Sequence, residues 1–188
     1  MSRTLYSIFQ IGQFLLANSI VMLERFADNK EANGLLDAVR TQDVPRVTHL
    51  LAIGVNPDAR IDKAHPWCVK GLSDGTSALS IAIMDGNLPI ARLLLEAGAS
   101  TELATVETKQ TPLMFAAGTN KLEAAHLLVA WSAKLNAVSK SGKTALMRAA
   151  HKGHAAIVQF LVDSGADINV RDGDGNTALH WAAFNGRR

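Results

Sequence analysis

At 188 residues with 48% apolar side chains, the chain is long enough to bury one sizeable core. A formal net charge of +2 supplies no strong field of the kind that nucleic acid or an acidic tail calls for. One cysteine, Cys68, excludes an internal disulfide framework.

Residues 1–30 form a prefix, MSRTLYSIFQIGQFLLANSIVMLERF and its flank, with a basic start and a mostly apolar run from Leu5 to Leu23. At about 100° per residue, Ser7, Gln10, Gln13, Ala17, Glu24 and Arg25 cluster on one side of a helix. Ile8, Phe9, Ile11, Leu15, Leu16, Ile20, Met22 and Leu23 line the other, while Phe14 and Val21 break the pattern. An amphipathic helix capping the first unit is the more economical reading, and it places the chain in the cytoplasm. The alternative uses residues 1–25 as a signal or membrane anchor and puts the rest outside the cytoplasm or at the envelope. No clean small-x-small cleavage site stands near Ala17.

Residues 31–58 read as a degenerate unit with core positions at Leu35, Ala38, Val47, Leu50, Leu51 and Gly54. Asn33-Gly34 stands where a helix-capping hydroxyl is expected, and Gln42 where an interhelix glycine is expected. An extended loop follows at 59–73, because Gly54 and Gly98 lie 44 residues apart where later units are spaced by 33. Trp67 in this loop is an aromatic anchor for a partner or, more simply, a lid folded over the neighbouring units. Cys68 beside it reads as an inert thiol.

Three units follow at 74–104, 105–137 and 138–170, and an incomplete one at 171–188. Leu79, Leu113, Leu146 and Leu179 are separated by 34, 33 and 33 residues. Ser77, Thr111, Thr144 and Thr177 precede each helix as hydroxyl caps, and Pro112 suits the first helical position. Paired small residues (Ala116-Ala117, Ala149-Ala150, Ala182-Ala183, with Ala82-Ile83 as a variant) let neighbouring helices approach closely. Ile90, Ala91, Leu94 and Leu95, then Ile157, Val158, Leu161 and Val162, give each second helix an apolar stripe. Gly86, Asn120 and Gly153 sit between helices, and Gly98 and Gly165 end them.

Within the third unit, Gly142-Lys143-Thr144 matches the second half of a phosphate-binding G-x-x-x-x-G-K-[ST] loop. The first glycine falls at Ala137, and Ser132, Lys134 and Asn136 interrupt the buried strand that such a loop follows. A nucleotide-binding reading therefore stays a remote alternative to a repeat explaining far more residues.

The period and the letters, best in TALMRAAHKGHAAIVQFLVDSGADIN, resemble the ankyrin repeat. The resemblance covers 74–188 firmly and 31–58 more loosely. It implies an all-α solenoid of stacked helix-turn-helix units with short β-hairpin turns. It also implies a structural hydrogen-bonding role for His180, while Met114 and Met147 take that position elsewhere. Lys109 in place of the hairpin glycine, and Trp131-Ser132 at the helix end, predict less regular turns in the unit at 105–137.

No catalytic constellation is readable. His151 and His154 lack a cysteine or carboxylate to complete a zinc set. Asp172 and Asp174, in DGDGN, lack the later glutamate of a calcium loop and read as turn residues. No cofactor is expected, and neither an enzyme nor a nucleic-acid partner.

The resemblance implies another protein as partner, bound at the hairpin tips and the outward face of each first helix. Carried over by position, these are Asp74, Thr76, Met84 and Asp85, then Glu107, Thr108 and Gln110. Lys140, Ser141, Lys143, His151 and Lys152 follow, with Arg171, Asp174 and Asn176 last. The third unit is markedly basic there, suiting an acidic partner or simply a solvated charged face. A first helix without its second leaves Leu179 and Ala183 uncovered, so further repeats or another chain are expected over that end.

Overall fold

Helices recur with the same period as the leucines. In the computed structural model of the chain, residues 30–62, 65, 72–184 and 186 are described. The expectations for residues 1–29, Trp67 and Cys68 fall outside them. A helix over 30–40 (α1) is followed by α2 at Val44–Ala52. The next pairs are α3 (Ala78–Asp85) with α4 (Leu88–Glu96), and α5 (Pro112–Gly118) with α6 (Leu122–Ala130). Then come α7 (Ala145–Lys152), α8 (Ala155–Asp163) and α9 (Ala178–Phe184). Helices α3, α5, α7 and α9 pack in series as an inner row, and α2, α4, α6 and α8 as an outer one. The architecture is an all-α solenoid.

Each inner helix starts as its letters dictate. Ser77, Thr111 and Thr144 hold extended backbone and accept hydrogen bonds from the amides of Ser80, Met114 and Met147. A hydroxyl cap of this kind stabilises a helix by ~1 kcal/mol. The first unit differs from expectation: α1 runs through Asn33 and Gly34, so no cap is needed there.

The core is continuous and thin, as neighbour-on-neighbour stacking requires. Leu94, Ile90, Leu128, Ile157 and Leu161 seal the space between rows, all fully buried. Truncating one such leucine to alanine costs about 2–5 kcal/mol. Ala116, Ala117 and Ala149 are likewise buried, and their small side chains allow α5 and α7 to meet closely.

Two sets of hydrogen bonds tie unit to unit outside the core. At the hairpin tips, the Val106 amide donates to the Asp74 carbonyl at 3.0 Å, Lys140 to Thr108 at 2.9 Å, and Gly173 to Ser141 at 2.9 Å. Just after each second helix, the amides of Ser100, Lys134 and Asp167 donate to the side chains of Asp58, Glu102 and Asn136 at 2.8, 2.8 and 2.9 Å. The hairpins thus form one ordered edge, which fixes the spacing of every side chain on that face.

The left-handed turns also recur. The hairpin position has φ of 79° at Gly75, 55° at Lys109, 76° at Gly142 and 80° at Gly175. The helix-ending position has 94° at Gly98, 61° at Ser132 and 91° at Gly165. The hairpin of this unit is less regular, as expected: the Thr105 amide closes on the Gln110 carbonyl and Lys109 reaches four residues back to Thr105, where Ser139 closes on Lys143 and Gly142 reaches only three back. Lys109 and Ser132 nonetheless take the left-handed backbone despite their side chains. Packing and the hairpin ladder impose the conformation, at a local cost of ~1–2 kcal/mol per residue.

Candidate functional site

The hairpin at 138–144 places the site's first cation. Ser139 donates its amide to the Lys143 carbonyl at 3.0 Å, and its hydroxyl accepts the Lys143 amide at 3.1 Å. Gly142 presses against the next hairpin: a Cβ there would stand 2.7 Å from the Gly173 nitrogen and 3.0 Å from the Asp172 Cα. Thr144 caps α7. All three letters of the phosphate-loop fragment are therefore occupied by turn and cap geometry, and Lys143 reaches sideways, its Nζ 3.5 Å from the centre of the Trp181 ring.

Trp181 is held in turn by the fourth hairpin. Its Nε1 donates to Asp172 at 2.7 Å, while the other carboxylate oxygen accepts the amides of Asn176 at 2.9 Å and Asp174 at 3.1 Å. Burial pushes the Asp172 carboxyl up. The Asn176 amide, the Trp181 indole, the Asp174 amide and the charge of Lys143 outweigh it and hold the group below the usual carboxylate range. Asp172 is thus a turn residue, as expected, and also the post that fixes Trp181.

Helix α7 supplies the remaining groups. Arg148 is half-buried and lies over the end of α5, where a Gly118 Cβ would stand 3.1 Å from one guanidinium nitrogen and 3.3 Å from Nε. His151 and Lys152 occupy the last turn, where cations oppose the negative end of the helix dipole. The His151 ring packs on Trp181 at 4.8 Å between centroids. Desolvation, then the charges of Lys143, Lys152 and Arg148, hold its imidazole below the ordinary range.

These groups line two adjoining depressions. One, of about 180 Å3, is bounded by Gly118, Lys143, Arg148, His151 and Lys152. The other, of about 460 Å3, runs between hairpins and is lined by Glu107, Thr108, Gln110, Ser139, Lys140, Ser141, Lys143 and Arg148. Eight of the residues expected to meet a partner are therefore brought together: Glu107, Thr108, Gln110, Lys140, Ser141, Lys143, His151 and Lys152.

The others stand apart. Thr76 is 1% exposed and donates its hydroxyl to the Ser73 carbonyl at 2.6 Å, so it faces inward. Asp85 is taken by Arg40 at 2.8 Å, and Met84 is half-buried beside it. Asp74 lends its carbonyl to the hairpin ladder. Arg171 donates to the Gly175 carbonyl at 3.0 Å, and the amides of Asp174 and Asn176 serve Asp172. Arg148 and Trp181 were not among the expected residues. Their signal lies in the motif column Ile81, Phe115, Arg148, Trp181, where a lone cation interrupts large apolar side chains.

A third depression, of about 680 Å3, lies at the far end and is apolar, between Leu146, Ala150, Val158, Val162, Ile168 and Leu179. Leu79, Leu113 and Leu146 are 1–2% exposed, whereas Leu179, at the same motif position, is 76% exposed and Phe184 81%. Among the described residues, no cluster of three or more His, Cys, Asp or Glu is placed to hold a metal ion, and no helix is long and apolar enough to cross a membrane.

No curated protein matches the chain. A family model described as ankyrin repeats (3 copies) matches residues 35–139 and again 131–188. With the helix pairs, the threonine caps, the hairpin ladder and the periodic left-handed turns on the same residues, the chain belongs to the ankyrin-repeat family.

Proposed function

We propose that the chain is a non-catalytic binding module that holds a segment of another protein on its concave face, across the hairpins and inner helices of residues 105–152. Ankyrin repeats are generally protein–protein interaction modules. The observation that carries the reading is the pair of adjoining depressions sharing Lys143 and Arg148. A groove of about 460 Å3 opening onto a smaller cleft suits a peptide backbone with one side chain directed inward. The hairpin ladder preorganises this surface, so little ordering cost falls on binding.

Photo-crosslinking tests it. A benzophenone amino acid at Thr108 or Lys152 should capture a common protein from source lysate, whereas the same probe at Glu96 or Gln159 on the outer row should not. Capture of that protein only from the outer positions would overturn the reading. A triple reversal of Lys140, Lys143 and Lys152 to glutamate should abolish the capture at Thr108.

A further inference from the structure

The smaller cleft is cationic. Among the described residues, Lys143, Arg148, His151 and Lys152 line it with Gly118, and no acid does. None of the three permanent cations forms an ion pair with a carboxylate among the described residues. Asp172, which shares Trp181 with Lys143, is 7% exposed and already accepts three hydrogen bonds. Arg148 could cover Gly118 with its aliphatic stem and keep its head in water, as surface arginines do. Instead the guanidinium itself packs on Gly118, and its Nε is buried without a hydrogen-bond partner, as is Nδ1 of His151. A desolvated cation without a partner is costly, and a bound anion repays that cost on association.

We propose that this cleft anchors one carboxylate side chain, Asp or Glu, of the bound protein segment, an inference that rests on the concave-face reading above. Its volume of about 180 Å3 is some six water volumes at ~30 Å3 each, enough for a carboxylate arm and a few waters. Nucleotide-sized ligands need ~300 Å3 or more. The segment's backbone lies in the adjoining groove, which reaches the cleft through Lys143 and Arg148. Glu107 on the groove's other hairpin opposes a second acid, so the preferred segment carries one acid flanked by neutral or basic residues on that side.

The probe is a random 12-residue peptide display library selected on the folded full chain, with winners measured by fluorescence anisotropy. Selected peptides should share one acid at a fixed position and crosslink to the probe at Thr108. Replacing that acid by its amide, or Arg148→Gln, or Gly118→Ala should each weaken binding about tenfold or more. Combining the peptide amide with Arg148→Gln should be little worse than either alone. Gly118→Ala keeps every charge and favours the helix, so it separates displacement of the guanidinium from misfolding, with circular dichroism as the check. Peptides that crosslink at Thr108 but bind Arg148→Gln and wild type equally overturn the anchor and leave the concave-face reading standing. Failure to select any peptide that reaches Thr108 overturns both. A phosphoserine in place of the acid that binds more than tenfold tighter overturns the carboxylate assignment.

Discussion

Lys143 and Trp181 meet across a unit boundary, the ammonium 3.5 Å above the centre of the indole ring while the ring nitrogen donates to Asp172 at 2.7 Å. Two interactions converge on one side chain, and their sizes differ. A partly exposed cation–π contact contributes about 0.5–1 kcal/mol. A hydrogen bond to a shielded carboxylate contributes about 1.5–3 kcal/mol. Trp181→Phe, which keeps a ring and loses the N–H, should therefore destabilise the chain more than Lys143→Met. Urea unfolding of both variants decides the order, and equal midpoints would contradict it.

Asp172 makes the same junction sensitive to acid. Its carboxyl is held below the usual range in the folded chain, so the unfolded chain binds the proton first as pH falls. The contribution is fully present above the unfolded value, near 3.9, and is lost as pH falls through the lower folded value. Wild type should lose stability below about pH 4, and Asp172→Asn should lose less in that window, from a lower starting point at neutral pH. Thermal unfolding between pH 2.5 and 7 measures both curves, and parallel curves would refute the assignment.

Much of this architecture is legible in the sequence because each unit repeats the same local solution. Hydroxyl caps at Ser77, Thr111 and Thr144, and leucines at 79, 113 and 146, report on one helix and its nearest neighbour. What escapes is set between units. Thr76 reads as a surface position but closes onto Ser73. Asp85 reads as free but is claimed by Arg40, 45 residues earlier, from the least regular unit. Arg148 occupies an otherwise apolar column, and only the missing side chain of Gly118 in the preceding unit explains where its head goes.

Lys109 and Ser132 hold left-handed backbone at positions where the other units use glycine. The fold imposes φ values of 55° and 61° on residues that disfavour them. Lys109→Gly and Ser132→Gly should each stabilise the chain by ~1 kcal/mol, the relief exceeding the added entropy of the unfolded chain. Gly142→Ala should do the reverse and by more, since its Cβ would meet the Gly173 nitrogen at 2.7 Å. Comparing the three urea midpoints tests whether φ or mere neighbour contact governs these turns. A destabilised Lys109→Gly would show that the lysine side chain outweighs its backbone cost.

His151 should make binding of an acidic segment depend on pH. Lys143, Arg148 and Lys152 are the charged groups facing its imidazole, Trp181 packs on it from α9, and Gly118 on α5 brings no charge. Desolvation and those three cations depress its folded value below about 6.5, the unfolded one. As pH falls from 6.5, the unfolded chain takes up the proton first, so the free chain loses some stability until the folded value is passed. A carboxylate in the cleft opposes the three cations, raises the imidazole value and is accompanied by proton uptake. Affinity for a selected acidic peptide should therefore rise between pH 7.5 and 5.5, where the peptide carboxylate is still ionised. His151→Gln should flatten that rise while binding persists at pH 7.5. Calorimetry in buffers of different ionisation enthalpy reads the proton uptake directly, and none at pH 6 would place His151 outside the binding site.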